Sequence, residues 1–234
     1  MAGLVFAEGR RVDKPGTWVG EQVELTVRGD DCPFVSRGGL KLAHALDHFR
    51  IEVQSRSCLD LGSSTGGFSH CLLLRGASGV HCVDVGRGLL HWKLRNDPRI
   101  TLHEGYNARF LSAADFPGAC FGIVVLDLAF ISQRLVLPAL YQLLREAGRP
   151  PVDVVSLVKP QFEAGRAEVG KGGIVRDEAV RRRTVDQVAA CARELGFAVR
   201  GWVESPVTGA DGNVEFLLHL QLLEEGGSHD QTAL

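Results

Sequence analysis

Apolar residues in this chain fall into two kinds of stretch. Short, nearly unbroken runs occur at Cys58–Leu61, in GVHCVDVG (79–86), at the start of GIVVLDLAF (122–130) and in VDVVSLVKP (152–160). Runs of that type mark strands buried on both faces of a parallel sheet. Arg99–His103 predicts one more strand. Between the runs, apolar positions recur every third or fourth residue. Ser36 stands where it could cap a helix whose inward positions are Leu40, Ala43, Leu46 and Phe49. Phe68, Cys71, Leu72 and Leu73 predict a second helix, Gly86–Leu94 a third and Leu135–Glu146 a fourth. Asp177–Leu195 predicts a fifth, with Val180, Val188, Ala189 and Leu195 inward and Arg181, Arg182 and Arg183 in solvent. Phe197–Glu204 and Asn213–Leu222, joined by SPVTGADG, predict a closing pair of strands. Strands alternating with helices define an α/β chain, with a mostly parallel sheet covered by helices on both faces.

The two ends depart from this pattern. Residues 2–28 read as small strands and turns, with turn signals at Glu8-Gly9 and Pro15-Gly16 and alternation at Val23, Leu25 and Val27. Asp30, Asp31, Cys32 and Pro33 form a break, which sets residues 1–32 apart from a main domain over 33–223. The tail 224–234 lacks apolar anchors and is expected to be disordered. Phe162–Ile174, rich in glycine and charge, is too long for an idle connector and predicts a loop that covers a substrate.

Composition narrows the choice of partner. The 234 residues are 45% hydrophobic and 23% charged, with a formal net charge of -2, so nothing attracts nucleic acid in bulk. RNA contact would have to be local, at Arg10, Arg11 and Lys14 in the front hairpin, and at Arg37, Arg166, Lys171 and Arg176 in the main domain. The six cysteines show no C-x-x-C spacing and read as buried reduced thiols rather than zinc ligands or disulfides; no metal is expected. No signal peptide is visible, and no apolar run approaches the roughly 18–20 residues of a membrane span. A cytoplasmic protein is expected.

The candidate chemistry gathers around SRSCLDLGSSTGGFSHCLLLRG (55–76). A strand ending at an acidic residue and opening through glycines into a helix is the first half of a nucleotide-cradling unit. Gly62, Gly66 and Gly67 would let backbone approach a ligand where a Cβ would clash. Asp60 would repel a pyrophosphate and attract a cationic head group, which favours S-adenosylmethionine over a dinucleotide. Asp84 ends the next strand and suits a ribose diol. Asn107 could reach an adenine edge or simply form a turn. Asp127 and Lys159 stand at the carboxyl ends of two later strands, where open α/β sheets bind ligands. Lys41 precedes the first strand and Glu215 begins the last. Each of these four charges alone could be a surface ion pair; together at one rim they suggest chemistry.

The segments FVSRGGLKL, CLDLGSSTGGF, VDVGRGLL, VVLDLAFIS, LVKPQFEAGR and SPVTGADGNVEF resemble those of the TlyA (hemolysin A) family of RNA 2′-O-methyltransferases, within the FtsJ-like group. The resemblance covers nearly all of Phe34 to Leu222. It implies a Rossmann-like methyltransferase fold with a seven-stranded sheet, S-adenosylmethionine as cofactor, and a Lys-Asp-Lys-Glu tetrad that falls on Lys41, Asp127, Lys159 and Glu215. A cofactor site of this kind would comprise Asp60, Gly62, Ser63, Ser64, Thr65, Gly66, Gly67, Phe68, Asp84, Val85, Asn107 and Asp127. The implied substrate is a cytidine ribose hydroxyl in ribosomal RNA or ribosomal subunits. Family members carry a front S4 RNA-binding domain, of which residues 1–32 resemble only the later, β half. Competing readings are a catalytically silent RNA-binding relative, an NAD-dependent oxidoreductase and a hemolysin. The first turn lacks G-x-G-x-x-G, which counts against NAD. The absence of a spanning run counts against direct membrane action.

Overall fold

In the computed structural model, which describes residues 5–12, 16–27, 32–209 and 212–224, the chain divides into two units at Pro33/Phe34. Lys14, Asp30, Asp31, Ala210, Asp211 and the tail from 225 lie outside the described residues. In the first unit, β1 (Val5–Ala7) pairs antiparallel with β2 (Arg10–Arg11) and β3 (Leu25–Val27), in the order β2-β1-β3. Glu8 and Gly9 have φ of 47° and 78°, the double positive φ that a two-residue hairpin with the native twist requires.

The second unit is built on a seven-stranded sheet. Its elements in chain order are α1 (Gly38–Phe49), β4 (Ser57–Leu61), α2 (Gly67–Leu74), β5 (Gly79–Asp84), α3 (Trp92–Arg95), β6 (Ile100–Glu104) and β7 (Phe121–Leu126). There follow α4 (Leu137–Ala147), β8 (Gly148–Val158), α5 (Pro160–Glu163), α6 (Glu178–Leu195), β9 (Ala198–Glu204) and β10 (Phe216–Leu222). The strand order is β6-β5-β4-β7-β8-β10-β9. All neighbours are parallel except β10, which runs antiparallel to both β8 and β9. The apolar runs of the sequence are thus the central strands. Their period of two splits them between two cores. Leu59, Leu61, Val124 and Leu126 face Leu140 and Leu144 of α4 and Val188 of α6. Cys58, Ile123 and Val125 face Leu42 and Leu46 of α1 and Leu72 of α2.

Several local expectations are corrected. Arg37, not Ser36, holds the cap position of α1, and no side chain closes that cap. The helix also turns a different stripe inward. Leu42, Ala45 and Leu46 are buried, together with Lys41, while Leu40 and Ala43 are only half-buried. Two overlapping apolar stripes fit a helical period here, and packing against α2 and β10 chooses between them. Gly86–Leu94 is not a helix; only Trp92–Arg95 is helical. Gly88 takes φ +70°, outside the right-handed helical region, and two carboxylates hold the stretch in that turn: Gly86 N–H donates to Asp84 Oδ1 at 2.7 Å and Gly88 N–H to Glu104 Oε1 at 2.7 Å. Cys58, Cys71 and Cys82 are buried, with thiols pushed up to about 12 by burial. Cys120, in contrast, is exposed, and Cys32 and Cys191 are half-buried. No helix among the described residues is long and apolar enough to cross a membrane.

Candidate active site and cofactor cleft

β4 and β7 lie side by side, and the chain leaves them in opposite directions, to β5 and β6 on one side and to β8 on the other. The carboxyl ends of such a strand pair form the crevice in which open α/β sheets bind ligands. The two ends are joined: Asp127 N–H donates to Leu61 O at 2.9 Å. Gly62, at φ +83°, is packed so closely that an added Cβ would sit 2.6 Å from the Asp127 carbonyl oxygen. At Gly67 a Cβ would run into Ser36 Oγ, and at Gly66 into Leu94. These glycines are therefore demanded by protein packing around the tight turn itself.

Three cavities meet at this crevice. One, of about 480 Å³, is walled by Asp84, Val85, Tyr106, Asn107 and Leu128. A second, of about 230 Å³, is walled by Arg37, Ser63, Ser64, Thr65 and Phe68. The third, of about 500 Å³, is walled by Lys41, Lys159, Phe162, Asn213 and Glu215. Asp127 lines all three.

The four charges singled out in the sequence collect at the third cavity as two ion pairs. Lys41 donates to Glu215 Oε2, both residues being buried. Lys159 Nζ lies 2.7 Å from Asp127 Oδ1. That contact is close enough for an ion pair but is not aligned as a hydrogen bond, which leaves Oδ1 open to another donor. Lys41 reaches the cavity from α1 and Asp127 from the end of β7. Lys159 follows β8, and Glu215 stands one residue ahead of β10 rather than within it.

The candidate cofactor residues divide between the first two cavities. Asp84 accepts Ser64 N–H at 2.8 Å and Gly86 N–H at 2.7 Å, so its carboxylate ties together the two loops that frame the larger one. Asn107 Oδ1 accepts Arg109 N–H at 3.0 Å and thereby works as a turn former, although the residue still lines the cavity wall. Ser63 Oγ is buried without a hydrogen-bond partner beside the smaller cavity. A largely apolar cavity with a carboxylate on its wall, beside a small polar one with an unpartnered hydroxyl, fits a nucleoside joined to an amino-acid end.

Asp60 is the exception. It lies beneath the glycine turn, fully buried, lining none of the three cavities. Its Oδ2 accepts from Ser69 Oγ on α2, and its Oδ1 has no partner. Burial, the largest influence, lifts its carboxyl from the ordinary 3.8 to about 7. A folded-state pKa above the unfolded value means that folding is opposed once the unfolded chain has ionised. Stability from this group is therefore present below pH 3.8 and lost as the pH rises toward 7. Asp60→Asn is expected to unfold at a higher temperature than the native chain at pH 8. The difference should shrink steadily on going down to pH 4; a difference independent of pH would refute the argument.

The RNA candidates lie in both units. Arg10 is exposed on β2; Arg11 is its neighbour in that strand, and Lys14 is outside the described residues. Arg37, Arg166, Lys171 and Arg176 are exposed in the second unit, and Arg37 also lines the smaller cavity. The arginine run of α6 is not a plain solvated face. Arg181 Nε donates to Val175 O at 2.7 Å, and Arg183 pairs with Glu168 at 2.5 Å. Both tie α6 to the 163–176 segment, and only Arg182 reaches back along its own helix, to Glu178.

Two aromatic residues escaped the sequence reading. Phe130 is 92% exposed at φ +62°, an unusual backbone for a bulky side chain and one that clusters at functional sites. Its ring lies 5.2 Å from that of Phe162. Both rings line the third cavity, and Lys159 Nζ is 5.9 Å from the Phe162 ring centre. Glu163 locks this arrangement by accepting from Ser132 Oγ at 2.6 Å and Gln133 N–H at 2.7 Å. A signal was available: LDLAF and LVKPQF each place a Phe three residues beyond the charged residue that follows its strand.

A switch-point crevice of this shape, in a seven-stranded sheet whose only reversed strand is β10, defines a Rossmann-like S-adenosylmethionine-dependent methyltransferase fold. Within that class, the chain belongs to the FtsJ-like methyltransferase family, whose pattern it matches over residues 34–222. It is 48% identical to the 16S/23S rRNA (cytidine-2′-O)-methyltransferase TlyA of Mycobacterium tuberculosis, over 94% of this chain and 81% of that one. It is 46% identical to YqxC of Bacillus subtilis, over 97% of this chain and 79% of that one. A solved Streptococcus thermophilus structure whose name refers to hemolysin superposes with a TM-score of 0.81 at 43% identity, covering 96% of this chain and 80% of that one.

Proposed function

We propose that the protein transfers a methyl group from S-adenosylmethionine to a ribose 2′-hydroxyl, in a cytidine of cytoplasmic ribosomal RNA. The observation that carries this reading is the meeting of three cavities at Asp127, one of them ringed by both ion pairs. The likeness to the tuberculosis enzyme supports the choice of cytidine. S-adenosylmethionine, when bound, supplies a methyl group made electrophilic by a sulfonium. Asp84 would hold its ribose, Val85 and Asn107 would flank its base, and residues 62–68 would receive its methionine end.

The rest of the task falls to this chain's own side chains. A ribose hydroxyl is a poor nucleophile at neutral pH, so the enzyme must fix its line of approach and manage one proton. Positioning can supply up to about 7–11 kcal/mol, and general base help about 10²–10⁴-fold. Lys159 is assigned to steer the hydroxyl and, as the free amine left once its own ammonium proton has gone to solvent, to take the hydroxyl proton. Asp127 orients Lys159, and the buried Glu215 holds Lys41 against the same cavity. Phe130 and Phe162 offer flat faces to the base of the target nucleotide. Arg10, Arg11, Lys14, Arg37, Arg166, Lys171 and Arg176 would contact phosphates.

Incubation with labelled S-adenosylmethionine and unmodified ribosomal subunits, followed by mapping of the product, tests the reading. Ribose methylation at a defined cytidine is expected; label confined to a base or absent altogether would overturn it. Asp84→Ala should weaken S-adenosylmethionine binding by about 10- to 100-fold, the loss typical for hydrogen bonds to a charged acceptor. Unchanged affinity by calorimetry would remove Asp84 from the ribose site.

A further inference from the structure

The basic 163–176 segment is folded, not loose. Gly170 N–H donates to Ile174 O at 3.0 Å and Gly173 N–H to Gly170 O at 3.1 Å, closing a tight hairpin with Lys171 exposed at its tip. On one side α6 holds the segment through Arg181 and Arg183. On the other side stands Asn213, only 3% exposed. Its Oδ1 accepts Val175 N–H at 3.1 Å, and its Nδ2 donates to Gly173 O at 2.9 Å. Its backbone oxygen accepts Gly209 N–H at 2.8 Å, and Thr208 and Gly209 line the small cavity. Two residues beyond Asn213 comes Glu215, paired with Lys41. Val169, Gly173, Asn213 and Glu215 all line the third cavity.

The side-chain amide serves both a backbone donor and a backbone acceptor from this position. A carboxylate lacks the donor, and an aliphatic residue would leave the buried Val175 N–H unpaired. We propose that Asn213 is a positioning residue that clamps the 170–174 hairpin to the segment carrying Glu215. Lys171 then holds a phosphate at a fixed offset from the Lys41–Glu215 pair, so that gripping RNA and seating its ribose become one event. The proposal rests on the reading of the chain as an RNA methyltransferase with Lys171 on a phosphate.

The test compares native chain, Asn213→Ala, Asn213→Asp, Lys171→Ala and the Asn213→Ala/Lys171→Ala double variant. Asn213→Ala should raise the RNA KM about tenfold and leave S-adenosylmethionine affinity unchanged. Asn213→Asp, which keeps the acceptor for Val175, should fall between it and the native chain. Lys171→Ala should lower the slope of log affinity against log salt by about one in the native background, and not at all when Asn213 is already Ala. Additive losses, or a defect confined to S-adenosylmethionine binding, would overturn the clamp. A native chain that binds RNA without salt dependence would instead sink the RNA reading. Hydrogen exchange at the Val175 amide then still decides the clamp: protection lost in Asn213→Ala supports it, and protection retained overturns it.

Discussion

Lys159→Ala is expected to cut methyl transfer by about 10²–10⁴-fold while S-adenosylmethionine binds almost as in the native chain. The split follows from where Lys159 stands: it lines the substrate cavity and neither of the two cavities assigned to the cofactor. Its partner Asp127 has a side chain 25% exposed, so losing the lysine leaves a carboxylate that water reaches in part, at less cost than stranding the buried Lys41 or Glu215. The fall in rate can then be read as lost chemistry rather than lost fold. Lys159→Arg sharpens the test. Guanidinium keeps the charge beside Asp127 but holds its proton throughout the accessible pH range. An arginine variant as slow as the alanine variant is expected if Lys159 handles the proton. Single-turnover rates near the native value for either variant would end that assignment.

Glu215→Ala should destabilise the second unit by about 3–5 kcal/mol, lowering the unfolding temperature by roughly 6–20 °C. Glu215 and Lys41 have side chains only 3% and 11% exposed, so removing the carboxylate strands an ammonium with little water to receive it. The cost comes from the uncompensated partner, because the intact pair gains little once the desolvation of both ions is counted. A double variant, Lys41→Met/Glu215→Leu, removes both charges and fills similar volume. It should recover most of the lost stability and remain inactive. Thermal unfolding and methyl transfer measured on the same samples separate the two effects. A double variant as unstable as the single one would show that the pair, taken together, stabilises the fold.

The elements that were legible in the sequence are those whose burial is periodic. The strand around Val124 and Val125, buried on both faces, left a continuous apolar run, and α6 showed its helical spacing. Less legible was the stretch 86–91. Its apolar residues suit a helix, but Gly88 turns to φ +70°, and the carboxylates of Asp84 and Glu104, neighbours across a parallel register, capture the Gly86 and Gly88 amides in that turn. A local pattern carries no information about that capture. Arg182 and Arg183 are exposed as expected, whereas Arg181 is half-buried because its acceptor, Val175 O, lies in another segment.

By itself, then, the amino-acid order determined which stretches become buried strands and which charged residues stand just beyond them. It did so because alternation and apolar runs record how each residue partitions between water and core. Pairing was left to the tertiary structure. Strand order and register brought Lys41 to Glu215 across 174 positions of chain, joined Lys159 to Asp127, and sealed Asp60 beneath the glycine turn, where it had been expected to meet a ligand's cationic head group. Such contacts depend on how the sheet stacks as a whole, and no window of neighbouring residues contains that geometry.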